Sequence, residues 1–109
     1  MSDPITAEQL FAMRRSGEWV LIDIRREADL EADGTMVPGA MRGNPESLDT
    51  WAQSLPAQQP VIVYCARGGS VSKSVTAELR ARGVDANYVE GGIAAWKDFG
   101  GEVIRVKRP

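Results

Sequence analysis

Val61-Ile62-Val63-Tyr64-Cys65-Ala66-Arg67-Gly68-Gly69-Ser70-Val71-Ser72 is the stretch whose reading decides this chain. Val61–Tyr64 reads as a buried strand, and the only cysteine stands where that strand ends. Gly68-Gly69 makes a short turn. From Ser70 to Arg82, Val71, Val75 and Leu79 recur every four residues, which predicts one apolar stripe on a helix, with Gly83 as its C-terminal stop. A cysteine at the mouth of a strand–loop–helix unit lies where open α/β folds bind ligands, at the carboxyl ends of parallel strands.

Upstream, Thr6-Ala7-Glu8-Gln9 fits a capping box opening a helix whose stripe is Leu10, Phe11 and Met13 and whose stop is Gly17. Trp19-Val20-Leu21-Ile22 is a continuous apolar run ending at Asp23, as a strand buried on both faces should read. Residues 25–33 are charged and fit one or two helical turns, Val37-Pro38-Gly39-Ala40 is turn chemistry, and Leu48–Leu55 fits a short helix closed by Pro56 and Pro60. Downstream, Ala86–Val89 reads as a strand, Gly91-Gly92 as a turn and Ile93–Phe99 as a last helix, while Val103–Val106 either adds an edge strand or trails off. Helix and strand alternate, which predicts an α/β domain with a largely parallel sheet.

The chain of 109 residues is expected to form one domain, residues 1–109, with 43% hydrophobic and 26% charged residues as in ordinary globular proteins. A net charge of -2 gives no reason to expect nucleic acid or a membrane surface as partner. There is no long apolar run and no apolar leader, so the cytoplasm is the expected location. One cysteine forms no internal disulfide. With no histidine present, imidazole is excluded as base or ligand, and neither a metal nor an organic cofactor is expected.

The cysteine loop carries the chemistry. Gly68 and Gly69 let successive N–H groups turn inward as an anion-binding nest. The helix starting near Ser70 adds its positive dipole end and unpaired donors. Arg67 adds a permanent charge. All three favour a thiolate at Cys65 and would hold an anionic substrate or adduct. A free cysteine is often just a small buried hydrophobe; its position at the strand end, before Gly-Gly-Ser, favours a nucleophile here. Arg67 is either a surface residue or an anion ligand, and Ser70 can be helix cap and ligand contact at once. Asp23 and Arg25 follow the first core strand and so face the same rim, bracing the loop as an ion pair or touching substrate. Trp51 and Trp96 read as packing residues rather than a binding platform.

Cys65-Ala66-Arg67-Gly68-Gly69-Ser70 resembles the active-site loop of the single-domain rhodaneses, which are sulfurtransferases. Leu21-Ile22-Asp23-Ile24-Arg25 resembles that family's Asp-x-Arg strand end, and Val37-Pro38-Gly39-Ala40 its Ile-Pro-Gly-Ala turn. Tyr88-Val89-Glu90-Gly91-Gly92-Ile93 with Trp96 resembles its closing Gly-Gly-x-x-x-Trp segment. The four blocks occur in the family's order. Met36 stands where the family usually has histidine, an extra residue sits among Ala32–Gly34, and Ser70 stands where many relatives carry arginine.

The resemblance implies a rhodanese-like α/β fold, with a central, mostly parallel five-stranded sheet and helices on both faces. It also implies a ping-pong transfer through a Cys65 persulfide, from a small anionic donor such as thiosulfate to cyanide or a thiol. The thiol belongs to a small molecule or to a thioredoxin-like protein. Arg67 would orient the donor, and the backbone of Ala66, Arg67, Gly68, Gly69 and Ser70 would hold the persulfide. Phosphatases and arsenate reductases on this fold resemble a longer loop with arginine six residues after the cysteine and commonly histidine before it. Val71 and Tyr64 occupy those places here. A rhodanese-like binding module without turnover is the other alternative, disfavoured by the intact cysteine.

Overall fold

The computed structural model describes residues 3–14, 19–55 and 58–106. Helix α1 is Ala7–Met13, strand β1 Val20–Asp23, helix α2 Glu27–Asp33, and strands β2 and β3 are Thr35–Met36 and Met41–Arg42. A 3-10 turn, Pro45–Ser47, leads into α3, Leu48–Ala52. Strand β4 is Val61–Tyr64, α4 Ser70–Ala81, β5 Ala86–Tyr88, α5 Gly92–Phe99 and β6 Ile104–Arg105.

The main sheet has the order β3-β1-β4-β5, and every pairing in it is parallel. Strands β1 and β4 lie at its centre in the register Val20 to Val61 and Asp23 to Tyr64, so both end at the same rim. All eight of their residues are buried, which is why they read as unbroken apolar runs rather than as an alternation. Val20, Ile22, Val61 and Val63 pack with Leu48, Val75 and Leu79 on one face. Leu21, Ile62 and Tyr64 pack with Ala7, Leu10, Ile93 and Trp96 on the other. Thus α3 and α4 cover one side and α1 and α5 the other. The capping box at Thr6 is formed, with the Gln9 amide N–H donating to Thr6 Oγ1 at 3.1 Å and the Thr6 N–H to Gln9 Oε1 at 2.8 Å.

The expected fifth strand does not join this sheet. Residues Ile104–Arg105 pair antiparallel with Thr35–Met36 as a separate ribbon. Trp96 Nε1 donates to the Glu102 carbonyl at 2.7 Å and the Val106 N–H to the Gly34 carbonyl at 2.9 Å. Those bonds steer the chain past α5 toward the end of α2, away from the outer edge of β5. At that edge Ile5 makes a single parallel bridge to Val89. Strand β3 fills the other edge and carries no sequence signal, because two residues show no period. The helix expected over 48–55 stops at Ala52, and Phe11, expected in the apolar stripe, is 44% exposed, its ring 5.7 Å from that of Phe99. The expected stops at Gly17 and Pro56 lie outside the described residues.

Candidate active site

Cys65 follows β4 directly and is 8% exposed. The chain then turns through Gly68, whose φ of +69° is left-handed. There the Gly68 N–H donates to Cys65 Sγ at 3.1 Å. A Cβ on Gly68 would stand 2.5 Å from the Gly91 nitrogen, so glycine is required twice over, by conformation and by space. Gly69 differs: it caps α4 with φ −86°, and a Cβ there would meet nothing within 4 Å. The nest expected from two glycines is therefore built around one of them.

The second Gly-Gly pair acts on the same loop. Gly91 and Gly92 have φ of +77° and +58°, and α5 starts at Gly92. The N–H groups of Ile93 and Ala94, in the first turn of α5, donate to the carbonyls of Cys65 at 2.9 Å and Ala66 at 3.1 Å. A Cβ on Gly92 would lie 2.3 Å from the Cys65 oxygen. The orphan donors of α5 thus hold the loop's first two carbonyls, a contact the sequence reading, which took Gly91-Gly92 as a turn, did not contain.

Cys65, Ala66, Arg67, Gly69 and Ser70 line a cavity of about 240 Å³, joined by Arg25, Arg26, Asp29 and Val71. Gly68 acts from behind, through its bond to sulfur. An adjoining cavity of about 360 Å³ shares Arg25, Asp29, Ala66 and Arg67 and continues toward Lys97 on α5. Arg26 and Asp29 were not singled out in the sequence. Their signal was position: they directly follow a strand paired in parallel with the cysteine strand, so they arrive at the same rim.

Asp23 and Arg25 form a buried pair, 0% and 2% exposed. Arg25 Nη2 donates to Asp23 Oδ2 at 2.7 Å, Arg25 Nε to both carboxylate oxygens at 3.1 Å, and the Arg25 N–H to Oδ1 at 3.0 Å. Arg25 also donates to Asp33 Oδ2 at 2.8 Å, and Arg42 Nη1 to the carbonyls of Asp23 at 2.8 Å and Arg25 at 2.9 Å. Burial works against the Arg25 charge, but the Asp23 and Asp33 carboxylates outweigh it and push its pKa above the ordinary value. Asp23 is wholly enclosed, whereas Arg25 also touches both cavities. The pair braces the end of β1 against α2 through Asp33, and Arg25 lines both cavities.

Asp33 joins this brace to α5 by accepting from Lys97, Thr35 and Arg25. Partial burial raises its pKa, and those three donors more than reverse this, holding it at about 2. Tyr64 lies under the Arg25 guanidinium, ring centroid 5.9 Å from Cζ, and its hydroxyl accepts from the Val37 N–H at 3.1 Å. Burial, with Asp23 nearby, pushes its phenol far above the ordinary value, so Tyr64 is a packing group and not an acid.

A family model described as the rhodanese-like domain matches residues 6–99. A tRNA sulfurtransferase from Desulfurococcus amylolyticus is 31% identical over 81 residues, a match covering 74% of this chain and 15% of the relative. This chain therefore spans only a small part of that curated relative's length. A rhodanese-like domain protein from Staphylococcus aureus superposes with a TM-score of 0.81 at 25% identity, covering 97% of this chain and 100% of that one. A Rhodopseudomonas palustris protein of unknown function, a possible tyrosine phosphatase, superposes with a TM-score of 0.78 at 25% identity, covering 94% and 84%.

Proposed function

This chain belongs to the rhodanese-like domain family, and from that membership we propose that it is a sulfurtransferase carrying sulfur as a Cys65 persulfide. The observation that supports the reading is that Cys65 and Arg67 line one cavity and that the Gly68 N–H donates to Cys65 Sγ. An N–H donor on sulfur favours a thiolate and later an anionic persulfide. The Cys65 thiolate attacks the outer sulfur of thiosulfate or a similar donor. A new S–S bond forms, the donor's S–S bond breaks, and sulfite leaves with the bonding pair. Cyanide or a thiolate then attacks the terminal sulfur of the persulfide, leaves as thiocyanate or a new persulfide, and returns the Cys65 thiolate. Neither step needs a general base, which suits a chain without histidine.

Arg67 orients the donor's sulfonate, and the backbone from Ala66 to Ser70 surrounds the transferred sulfur. Asp23 and Arg25 support the loop from below. The acceptor is a small thiol or the thiol of a thioredoxin-like protein. The relative's sulfur chemistry is carried over here and its tRNA substrate is not, because the match covers 15% of that protein. A phosphatase would lack its arginine, since Val71 stands six residues after Cys65.

The test is intact-mass analysis after incubation with thiosulfate. The expected result is an adduct of one sulfur atom on the wild type, discharged by cyanide as thiocyanate and absent in Cys65→Ser. No adduct on the wild type, or an equal one on Cys65→Ser, overturns the proposal. Release of phosphate from an aryl phosphate in place of sulfur transfer would favour the phosphatase reading. Arg67→Ala is expected to raise the thiosulfate KM about tenfold or more, the loss of a charge-assisted contact.

A further inference from the structure

We propose that Arg26 is a second specificity-determining residue of this site, forming with Arg67 a two-sided cationic rim that selects a doubly charged donor over singly charged or neutral ones. Arg26 is the residue before α2, in extended backbone with φ −66° and ψ 156°, and it is exposed. It lines the same cavity as Cys65. Arg67 reaches that cavity from the loop after β4, and Arg26 from the loop after β1. The two cations therefore line the cavity of Cys65 from separate segments of chain.

Neither is neutralised by another described residue. Arg25 pairs with Asp23 and Asp33, Arg42 with Asp23 and Glu27, and Arg82 with Asp49. Arg26 and Arg67 have no ion pair with any described residue. Among the described residues, the one opposing charge on the cavity wall outside the buried brace is Asp29, a turn along α2 from Arg26. Two free guanidinium groups against one carboxylate leave the mouth net positive. At a given distance a dianion gains twice the Coulomb energy of a monoanion from such a rim, and a neutral reagent gains none. Arg26 is thus a selector by charge, and Asp29 tempers it.

The identity of the donor rests on the sulfurtransferase reading, but the charge preference at Cys65 can be measured without turnover. We would compare the rates at which iodoacetate, an anion, and iodoacetamide, its neutral counterpart, alkylate Cys65 at low salt, followed by intact mass. Arg26→Ala is expected to lower the iodoacetate-to-iodoacetamide ratio about threefold to tenfold, the size of one nearby charge in a solvated cavity. Arg26→Lys should hold the wild-type ratio within about twofold, because it keeps the charge. Asp29→Asn should raise the ratio; any change in the thiolate fraction alters both rates alike and cancels in it.

An unchanged ratio in Arg26→Ala, with a lowered one in Arg67→Ala, would overturn the proposal and leave Arg67 alone as the anion ligand. Equal losses in Arg26→Ala and Arg26→Lys would also overturn it, since the side chain would then act by shape. A lowered ratio in Arg26→Ala together with no sulfur adduct on the wild type would keep the cationic rim and remove the sulfurtransferase reading.

Discussion

At Gly68 one backbone position controls both the shape of the loop and the environment of its sulfur. Its φ of +69° is strained for any residue with a Cβ, and that Cβ would meet the Gly91 nitrogen at 2.5 Å. Gly68→Ala is therefore expected to lose at least about 1–2 kcal/mol of stability, the cost of a left-handed non-glycine residue. It should also lose most sulfur transfer, because the N–H on Cys65 Sγ shifts with the turn. Gly69 has an ordinary φ and open space around its missing Cβ, so Gly69→Ala should stay within about 0.5 kcal/mol of wild type. Urea denaturation of the two variants checks the contrast; equal losses would show that the loop does not depend on Gly68. Both glycines look alike in the sequence. They differ only because α5 packs against one and not the other.

At the scale of elements, Asp33 links α2 to α5 through Lys97 and to the buried brace through Arg25. Its carboxyl titrates at about 2 in the folded protein, against an ordinary 3.8. A depressed carboxylate stabilises the fold above its unfolded value and loses that contribution as pH falls through the folded one. The acid limb of the stability curve should therefore steepen between about pH 4 and pH 2. Asp33→Asn should flatten it there, as measured by urea midpoints across that range. An unaltered acid limb would mean that Asp33 contributes nothing to coupling the helices. The sequence showed only a run of charges over residues 25–33, with nothing to tell which of them would meet α5. The same limit applies to α4. The four-residue spacing identified Val75 and Leu79 as buried, but the inward face also includes Ser72 and Thr76, 0% and 2% exposed. Their hydroxyls have no hydrogen-bond partner among the described residues, and apolar periodicity does not register such positions.

At the scale of the whole molecule, the C-terminal segment closes the fold by pairing with β2. The Trp96 indole is fully buried and its N–H depends on the Glu102 carbonyl. Beyond it, β6 completes the ribbon with β2. A chain ending at Gly101 should lose about 1–3 kcal/mol, the cost of a buried donor left without its partner. Cys65 alkylation by iodoacetamide should be unaffected. Unchanged stability would show that this segment merely rests on the surface.

Much of this protein was determined by its sequence alone. Unbroken apolar runs ending at Asp23 and Tyr64 specify two central parallel strands, because residues buried on both faces leave no room for polar alternation. The cysteine after Tyr64, the glycine turn and the helical stripe then place a thiol at the sheet's carboxyl rim. Those signals are local, and local backbone preferences express them. The tertiary structure decided what distant segments do to one another. It gave the loop's carbonyls to the first turn of α5, and it brought Arg42 onto Asp23 and Lys97 onto Asp33. It drew Ile104–Arg105 to β2 instead of the main sheet, and it carried Arg26 to the rim beside Arg67. Each of these outcomes depends on the relative placement of elements far apart in the chain. Short strands and single charges hold too little local free energy to announce such a partner before packing brings it near.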